Sequence, residues 1–352
     1  MGRSGVGQSL TSRALYFTAP YQVALQEECL PHPAPGRVLV QTVVSAISSG
    51  TELLIYRGQA PTDMPVDATI TALSGALGFP LKYGYAAVGR VIAVGSAAER
   101  EWQGRLVFAF HPHASHFLSA PAELLPVPDS LPPEEAVFLP NMETAVNFLM
   151  DGRPLIGERV VVFGQGVVGL LTTALLGRVP LSQLITLDRY AFRRGRSQEL
   201  GAHASLDAGQ DDVLARLQAC LQEGPGAAGA DLTYELSGNP AALDQAIAVT
   251  GFNGRIVIGS WYGQKRAHLD LGGGFHRSRI RLISSQVSTI APEWVGRWTK
   301  GRRLHVAWQM LQHVRPAQLV THRLPFEQAS QAYALLDRHP EEAIQVLFTY
   351  EE

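Results

Sequence analysis

Gly164-Gln165-Gly166-Val167-Val168-Gly169 has a residue pattern suited to holding a phosphate group against main chain. The apolar run Arg159 to Phe163 precedes it directly, and an apolar stretch of helical character follows. In such a strand-to-helix turn the first glycine permits the tight bend, the second lets backbone approach a pyrophosphate, and the third lets helix pack on strand. The opening helix N–H groups, here from Val167 and Val168 onward, then meet the phosphate charge with the positive end of the helix dipole. An acid is expected about 20 positions on, closing a second strand, to bond the adenosine ribose hydroxyls. Asp188 stands there, after Leu184-Ile185-Thr186-Leu187. Strand, turn, helix, second strand and acid together point to a dinucleotide site; the alternative is a Rossmann domain that has lost its ligand. Asp188 repels the extra phosphate of NADP and so favours NAD, yet Arg189, Arg193 and Arg194 lie close enough in sequence to clamp that phosphate, which keeps NADP open. Ser237-Gly238 and Ser260 follow two further strand candidates, at the carboxyl edge where ligands bind in open α/β sheets; the serines read equally as helix caps.

The elements that must position these residues differ between the two parts of the chain. From Ala14 to about Val127 short β-branched runs are punctuated by Gly and Pro, namely Arg37 to Val44, Ala86 to Val94 and Gly104 to Ala109, a rhythm that predicts an antiparallel, barrel-like domain. Beyond Gly157 apolar strands alternate with helical stretches, as in βαβ units. The predicted strands are Arg159 to Phe163, Leu184 to Leu187, Asp231 to Leu236, Arg255 to Ile258 and Arg281 to Ser285. Val167 to Gly177, Phe192 to Leu200, Val213 to Leu221 and Ala241 to Val249 are the predicted covering helices. A last helix, Pro325 to His339, leads to a final strand, Ala343 to Tyr350. Met1 to Ser12 reads as a loose tail, and Gly224 to Gly229 as a surface turn.

With 352 residues the chain is long enough for two domains. A 17% charged fraction and a net charge of −2 call for neither nucleic acid nor an anionic membrane as partner. Cys29 and Cys220 stand far apart, so no disulfide framework or cysteine-rich zinc site is indicated, and a reducing cytoplasmic location is expected. No apolar run reaches the roughly 18 to 20 residues that span a bilayer.

Further strings carry a family resemblance over nearly the whole length. Gly84-Tyr85-Ala86-Ala87-Val88-Gly89 resembles the Gly-His-Glu-x-x-Gly segment of the medium-chain dehydrogenase/reductase superfamily, and Thr321-His322-Arg323-Leu324-Pro325-Phe326 resembles its C-terminal Thr-His and Leu-Pro-Phe hallmark. The resemblance implies an α/β chain made of a GroES-like, β-rich catalytic domain and a Rossmann domain with a doubly wound parallel sheet. The expected boundaries are 13–150 for the first part of the catalytic domain, 151–288 for the Rossmann domain, and 289–352 for the segment completing the catalytic domain. Ile47-Ser48-Ser49-Gly50-Thr51-Glu52 and Leu139-Pro140-Asn141-Met142-Glu143-Thr144-Ala145-Val146-Asn147 look most like a zinc-lacking branch that includes hydroxyethyl bacteriochlorophyllide dehydrogenase and relatives of unassigned substrate. At the positions of the family's catalytic zinc ligands stand Ser48, Tyr85 and Pro140 or Asn141, none of them a good zinc donor, and the four-cysteine structural lobe is absent. No zinc is therefore expected. The resemblance also places Gln345 where many members carry an arginine on the pyrophosphate.

What the resemblance implies is hydride transfer between a nicotinamide and a small-molecule alcohol or ketone, in a homodimer. Without a metal, hydroxyls or an acid must stabilise the alkoxide and manage the proton. Ser48 and Tyr85 lead that list; Tyr85 reads alternatively as filling the space a metal vacated. Thr51 and Glu52 follow in the same loop, with Glu52 either an auxiliary acid or a structural carboxylate. Thr144 is expected to pack on the nicotinamide, and neighbouring Glu143 either orients the coenzyme or lies exposed. His111, His113 and His116 form a loop that reads as a cleft wall, a polar surface or, if it curls, a metal site. Thr62 to Phe79, rich in small and apolar residues, is expected to bound the substrate cleft or a subunit contact. Two other readings stay open: a zinc-free reductase of enones or quinones, and a non-catalytic NAD(P)-binding protein.

Overall fold

The structure is a computed structural model, and it describes residues 10–61, 70–73, 76–222 and 228–351. The chain divides into two compact units, one made of its two ends (1–138 and 320–352) and the other of residues 139–319.

The first unit opens with a long hairpin, β1 (Leu10–Ala19) and β2 (Gln22–Leu30). Leu10 to Ser12 thus belong to a strand and not to a loose tail, and Ser12 is buried against His116. Next come β3 (Val38–Ala46), helix α1 (Ser49–Tyr56), β4 (Leu81–Lys82), β5 (Ala87–Val94), β6 (Leu106–Ala109), β7 (His116–Ser119), β8 (Leu124–Pro126) and helix α2 (Pro133–Ala136). β3 is apolar at most positions, and its first half is flanked on both edges, by β5 and by β7.

The second unit begins with helix α3 (Leu139–Gly152) and continues as β9 (Arg159–Phe163), α4 (Val167–Leu176), β10 (Gln183–Asp188), α5 (Ala191–Glu199), β11 (Ala204–Asp207), α6 (Val213–Gln222), β12 (Ala230–Glu235), α7 (Pro240–Val249), β13 (Thr250–Ile258), α8 (Gly274–Arg277), β14 (Arg281–Ser284) and α9 (Lys300–Val314). The sheet runs β11-β10-β9-β12-β13-β14, all parallel, which is the doubly wound order with its switch point between β9 and β12. β9, Arg-Val-Val-Val-Phe, is buried at every position, as a strand covered on both faces must be. One register row crosses the sheet through Leu206, Leu187, Phe163, Glu235, Ile258 and Ser284. The residues that follow this row, Asp188, Gly164, Leu236, Gly259 and Ser285, therefore share the carboxyl edge.

The chain returns to the first unit with β15 (Val320–Pro325), α10 (Ala329–Arg338) and β16 (Gln345–Thr349), which pairs with β3. The return falls at Val320, not at 289, because α9 packs on α3 and α4 of the parallel-sheet unit. Likewise the first boundary falls at 138/139, since α3 packs on α4. One apolar core in the first unit joins both chain ends: Phe17, Ile47, Leu73, Leu77, Phe326, Tyr333 and Phe348 all pack in it. Leu73 and Leu77 are core residues, and Leu77, Gly78 and Phe79 also line a cavity with Ile55, Gly58, Ala60 and Leu81; residues 62–69 and 74–75 of the segment Thr62 to Phe79, and 224–227 of the expected surface turn, lie outside the described residues.

Candidate active site

In the first unit, three contacts bring Ser48 and Tyr85 together. Ala46 N donates to Ala86 O (2.9 Å), Ile47 N to Val346 O (3.1 Å), and the Gln345 side chain to Ile47 O (2.9 Å). Gln345 is fully buried and fastens the strand beside Ser48; it is a structural clamp, not a pyrophosphate ligand. Ser48 caps α1, yet its hydroxyl makes no capping bond. The Glu52 carboxylate instead accepts Ser48 N at 2.7 Å, a favourable place for negative charge. Relieved of the cap, Ser48 Oγ bonds the Tyr85 hydroxyl at short range, and Tyr85 lies 3.5 Å from Thr51 Oγ1. Two hydroxyls carry two hydrogens, and one lies between them; the other is directed to Thr51 at the outer limit of bonding, where a stronger acceptor would compete.

Beneath this half-buried rim lies a polar chain that is fully buried except at its Tyr350 end. Glu52 and His113 are both 0% exposed. Glu52 Oε2 accepts from the Tyr333 hydroxyl and from His113 Nε2 (3.1 Å); His113 Nδ1 meets Ser45 Oγ (2.7 Å), which meets the Tyr350 hydroxyl (2.8 Å). A neutral His113 with its hydrogen on Nε2 satisfies the whole chain, Tyr350 to Ser45 to His113 to Glu52, with each donor donating once. Burial first, then the Glu52 charge, holds the Tyr333 hydroxyl far above its ordinary range. Glu52 is therefore no catalytic acid: all its oxygens point into the fold. Gly84 makes room for this arrangement, since its φ is +120° and a Cβ there would lie 2.7 Å from the His113 ring.

The three loop histidines diverge. His111 stacks on Phe117 (4.0 Å between centroids), His113 turns inward, and His116 meets Ser115 Oγ (3.2 Å). Among the described residues the one His/Cys/Asp/Glu group close enough to share a metal is the exposed His339, Glu341 and Glu342, far in sequence from Ser48 and Tyr85. A serine and a phenol bonded to each other do not form a zinc donor set.

In the second unit the glycine turn has the shape its sequence predicts. Gly164 has φ +90° and lies so close to Ser237 that a Cβ would meet its Cα at 2.6 Å; a Cβ on Gly169 would meet Gly164 O at 2.1 Å. Around Gly166 there is open space, and it caps α4 with no side chain, leaving the first-turn N–H groups, including those of Val167 and Val168, without a side-chain cap. That is the opening a pyrophosphate needs. Gln165 does not contribute its side chain: it is buried, donating to Gly164 O (3.0 Å) and accepting from Thr173 (2.9 Å). Asp188 closes β10 beside the turn, one oxygen accepting Gln165 N (2.8 Å) and the other Tyr190 N (2.9 Å), and a carboxylate with two bonds made has capacity for ribose hydroxyls. Arg194 is bound to Asp207 (3.1 Å) and to Asp188 O (3.0 Å); Arg193 lies over the Tyr190 ring (4.9 Å), and Arg189 is exposed.

Ser237 and Ser260 act on the edge loop itself. Ser260 Oγ accepts Gly238 N (2.9 Å), Ser237 Oγ accepts Asn239 N (3.1 Å) and donates to Glu235. Glu235, unnoticed in the sequence, is the buried hub here, accepting also from Ser237 N (2.9 Å) and Tyr262 (2.5 Å). Gly238 has open space at its Cα. The Thr144 hydroxyl donates to Pro140 O of its own helix (2.8 Å).

Comparison with known proteins agrees with this fold. Residues 167–300 match the family described as zinc-binding dehydrogenase. D-guloside 3-dehydrogenase of Escherichia coli (strain K12) is 23% identical, over 96% of this chain and all of that protein. A solved structure from E. coli CFT073, titled a short chain alcohol dehydrogenase complexed with NADH, superposes with a TM-score of 0.77 at 19% identity, covering 96% of this chain and 99% of the other. Another, a zinc-binding dehydrogenase from Sinorhizobium meliloti 1021 bound to NADP, gives 0.76 at 18% identity over 97% and 99%. The chain is an alcohol dehydrogenase-like enzyme with the medium-chain fold. The family match begins at Val167, so it touches neither Ser48 nor Tyr85. Among the described residues no helix is long and apolar enough to cross a membrane.

Proposed function

We propose that this alcohol dehydrogenase-like enzyme transfers hydride between NAD and a small alcohol or ketone without zinc, using the Ser48–Tyr85 hydroxyl pair to handle the proton. The observation that carries the reading is the hydrogen bond between those hydroxyls, at positions the sequence resemblance matches to zinc ligands. Its likeness to the zinc-lacking branch rests on residues 47–52 and 139–147 and leaves the substrate unassigned.

Gly166, the N–H groups opening α4, and Asp188 would hold the coenzyme, and Gly238 offers a second unobstructed approach. A bound nicotinamide supplies or accepts the hydride. Everything else is done by this chain's side chains. Tyr85, bonded to Ser48, gives or takes the proton at the substrate oxygen, and Ser48 holds the phenol in line. Glu52, itself held by His113 and Tyr333, fixes the Ser48 backbone, so the pair meets the substrate already oriented. Asp188 disfavours a 2′-phosphate, and Arg194 is engaged by Asp207, which supports NAD over NADP. The same reading takes the protein as a cytoplasmic homodimer.

Tyr85→Phe should lower kcat by about a hundredfold while leaving coenzyme affinity unchanged, measured by following reduced nicotinamide with a panel of alcohols, ketones and enones. Turnover of enones alone would favour the carbon–carbon double-bond reductase. Elemental analysis of the active enzyme should find zinc well below one per chain; stoichiometric zinc required for turnover would overturn the metal-free mechanism.

A further inference from the structure

The second unit buries a complete arginine. Arg303 on α9 is 0% exposed, and a guanidinium removed from water needs an acceptor for each of its N–H groups. Nε and Nη2 donate to Glu143 Oε1 at 3.1 and 3.0 Å, Nη1 to Asn147 Oδ1 at 2.5 Å and to Thr289 O at 3.0 Å, and Nη2 also to Val287 O. Glu143, expected either to orient the coenzyme or to lie exposed, is thus half of a buried ion pair. Asn147 extends the network, donating to Ser285 Oγ (2.9 Å) and Asp151 Oδ2 (3.0 Å), and Ser285 donates to the same Asp151 oxygen (2.5 Å). Ser285, Val287 and Thr289, alternate residues of the segment after β14, are all gripped from α3 and α9.

Such a network is a costly way to fill space, because apolar residues of similar volume avoid the desolvation of two charges. What a planar fork adds is direction: it fixes two carbonyls of one segment relative to one helix. The place fixed is informative. Ser285 shares the carboxyl edge with Gly259, Leu236, Gly164 and Asp188. With Asp188 marking the adenosine end on the β10 side of the switch point, the other end of a dinucleotide extends toward β13 and β14. Asp188 and Ser285 are four strand intervals apart, about 19 Å.

We propose that Arg303, acting through Glu143 and Asn147, is a positioning residue that shapes segment 285–289 into the wall receiving the nicotinamide end of the coenzyme. This rests on the coenzyme reading above. The full chain, its Arg303→Lys form and its Asn147→Ala form are titrated calorimetrically with the reduced coenzyme and, separately, with ADP-ribose, which carries the adenosine and pyrophosphate but no nicotinamide. Both variants should lose about tenfold in coenzyme affinity and keep ADP-ribose affinity, with kcat falling further than the coenzyme loss explains. Equal losses for the two ligands, or a lowered Tm with coenzyme affinity intact, would make the network merely structural and overturn the proposal. Asn147→Ala keeps the ion pair and decides the matter if Arg303→Lys does not fold. A wild-type chain that binds neither ligand defeats the coenzyme reading itself, whereas one that binds ADP-ribose and coenzyme equally well defeats only this inference.

Discussion

The two units build their chemistry from different material. In the parallel-sheet unit the working groups are main chain: a bend at Gly164, an open cap at Gly166 and the N–H groups behind it. In the end-formed unit they are side chains, Ser48 and Tyr85, held by a buried lattice of Glu52, His113, Tyr333, Ser45 and Tyr350. A backbone site is specified locally, by which residues lack a Cβ. A side-chain site is specified globally, by partners brought in from five separate stretches of sequence. Damage to the first should therefore be confined to binding, and damage to the second should spread into stability.

Gly166→Ala breaks the comparison most sharply. Its φ of −67° suits any residue and no protein atom lies within 4 Å of an added Cβ, so Tm should not move. A methyl group there occupies the space a pyrophosphate must approach, and affinity for reduced nicotinamide, read by fluorescence titration, should fall by about a hundredfold. Unaltered affinity would remove the cradle from this part of the chain. The counterpart in the other unit is Glu52→Ala, which leaves Ser48 N, His113 and Tyr333 without their shared acceptor. Loss of one buried partner of that kind costs about 3 kcal/mol, seen as a lower midpoint of urea unfolding, and kcat should fall with it because Ser48 is no longer held. A variant as stable as the parent would show that the lattice is not what supports the rim.

The same contrast explains what could be read from the sequence. The strands β9, β10, β12, β13 and β14 and their helices are legible because uninterrupted apolar runs alternate with helical ones, and the glycine turn is legible because its geometry is encoded within six residues. β11, with the polar Ala-Ser-Leu-Asp, has too little apolar contrast to stand out. α9 carries a basic face, and Arg303, facing inward, looks like any solvated cation until Glu143 is found opposite. The hairpin β1–β2 was hidden by a polar start beside a Gly/Ser-rich stretch. Ser48 and Tyr85 could be named from family likeness, but nothing near them in sequence announces His113 or Tyr333. The sequence leaves Glu52 either an auxiliary acid or a structural carboxylate; its three donors favour the support. A signal for Glu235 did exist: an acid closing a parallel strand directly before a serine-glycine turn.

The smallest effect distinguishes the units by pH. Burial first of all pulls the His111 imidazole down to about 4 from an ordinary 6.5, while its ring stacks on Phe117 and Nδ1 donates to Pro112 O at 2.8 Å. Between those two values the unfolded chain binds a proton that the folded unit refuses, so this contribution is complete above about 6.5 and is lost as pH falls toward 4. Carboxyls whose values are lowered in the fold, Glu28 and Glu134 among them, add their own losses below the ordinary 4.5, while Glu143 and Asp151 of the other unit, raised by burial, work in the opposite sense as pH falls. His116, also held low by burial and belonging to the same unit, supplies part of the same slope. His111→Phe keeps a ring on Phe117 and removes one of these titrations, so Tm of the variant should decline less steeply than that of the parent between pH 6.5 and 4.5. Parallel declines would assign the acid sensitivity to His116 or to the other unit. The main-chain cradle has no titrating atom of its own, so the share of coenzyme affinity that the N–H groups behind Gly166 supply should hold across this window even as the first unit loses stability.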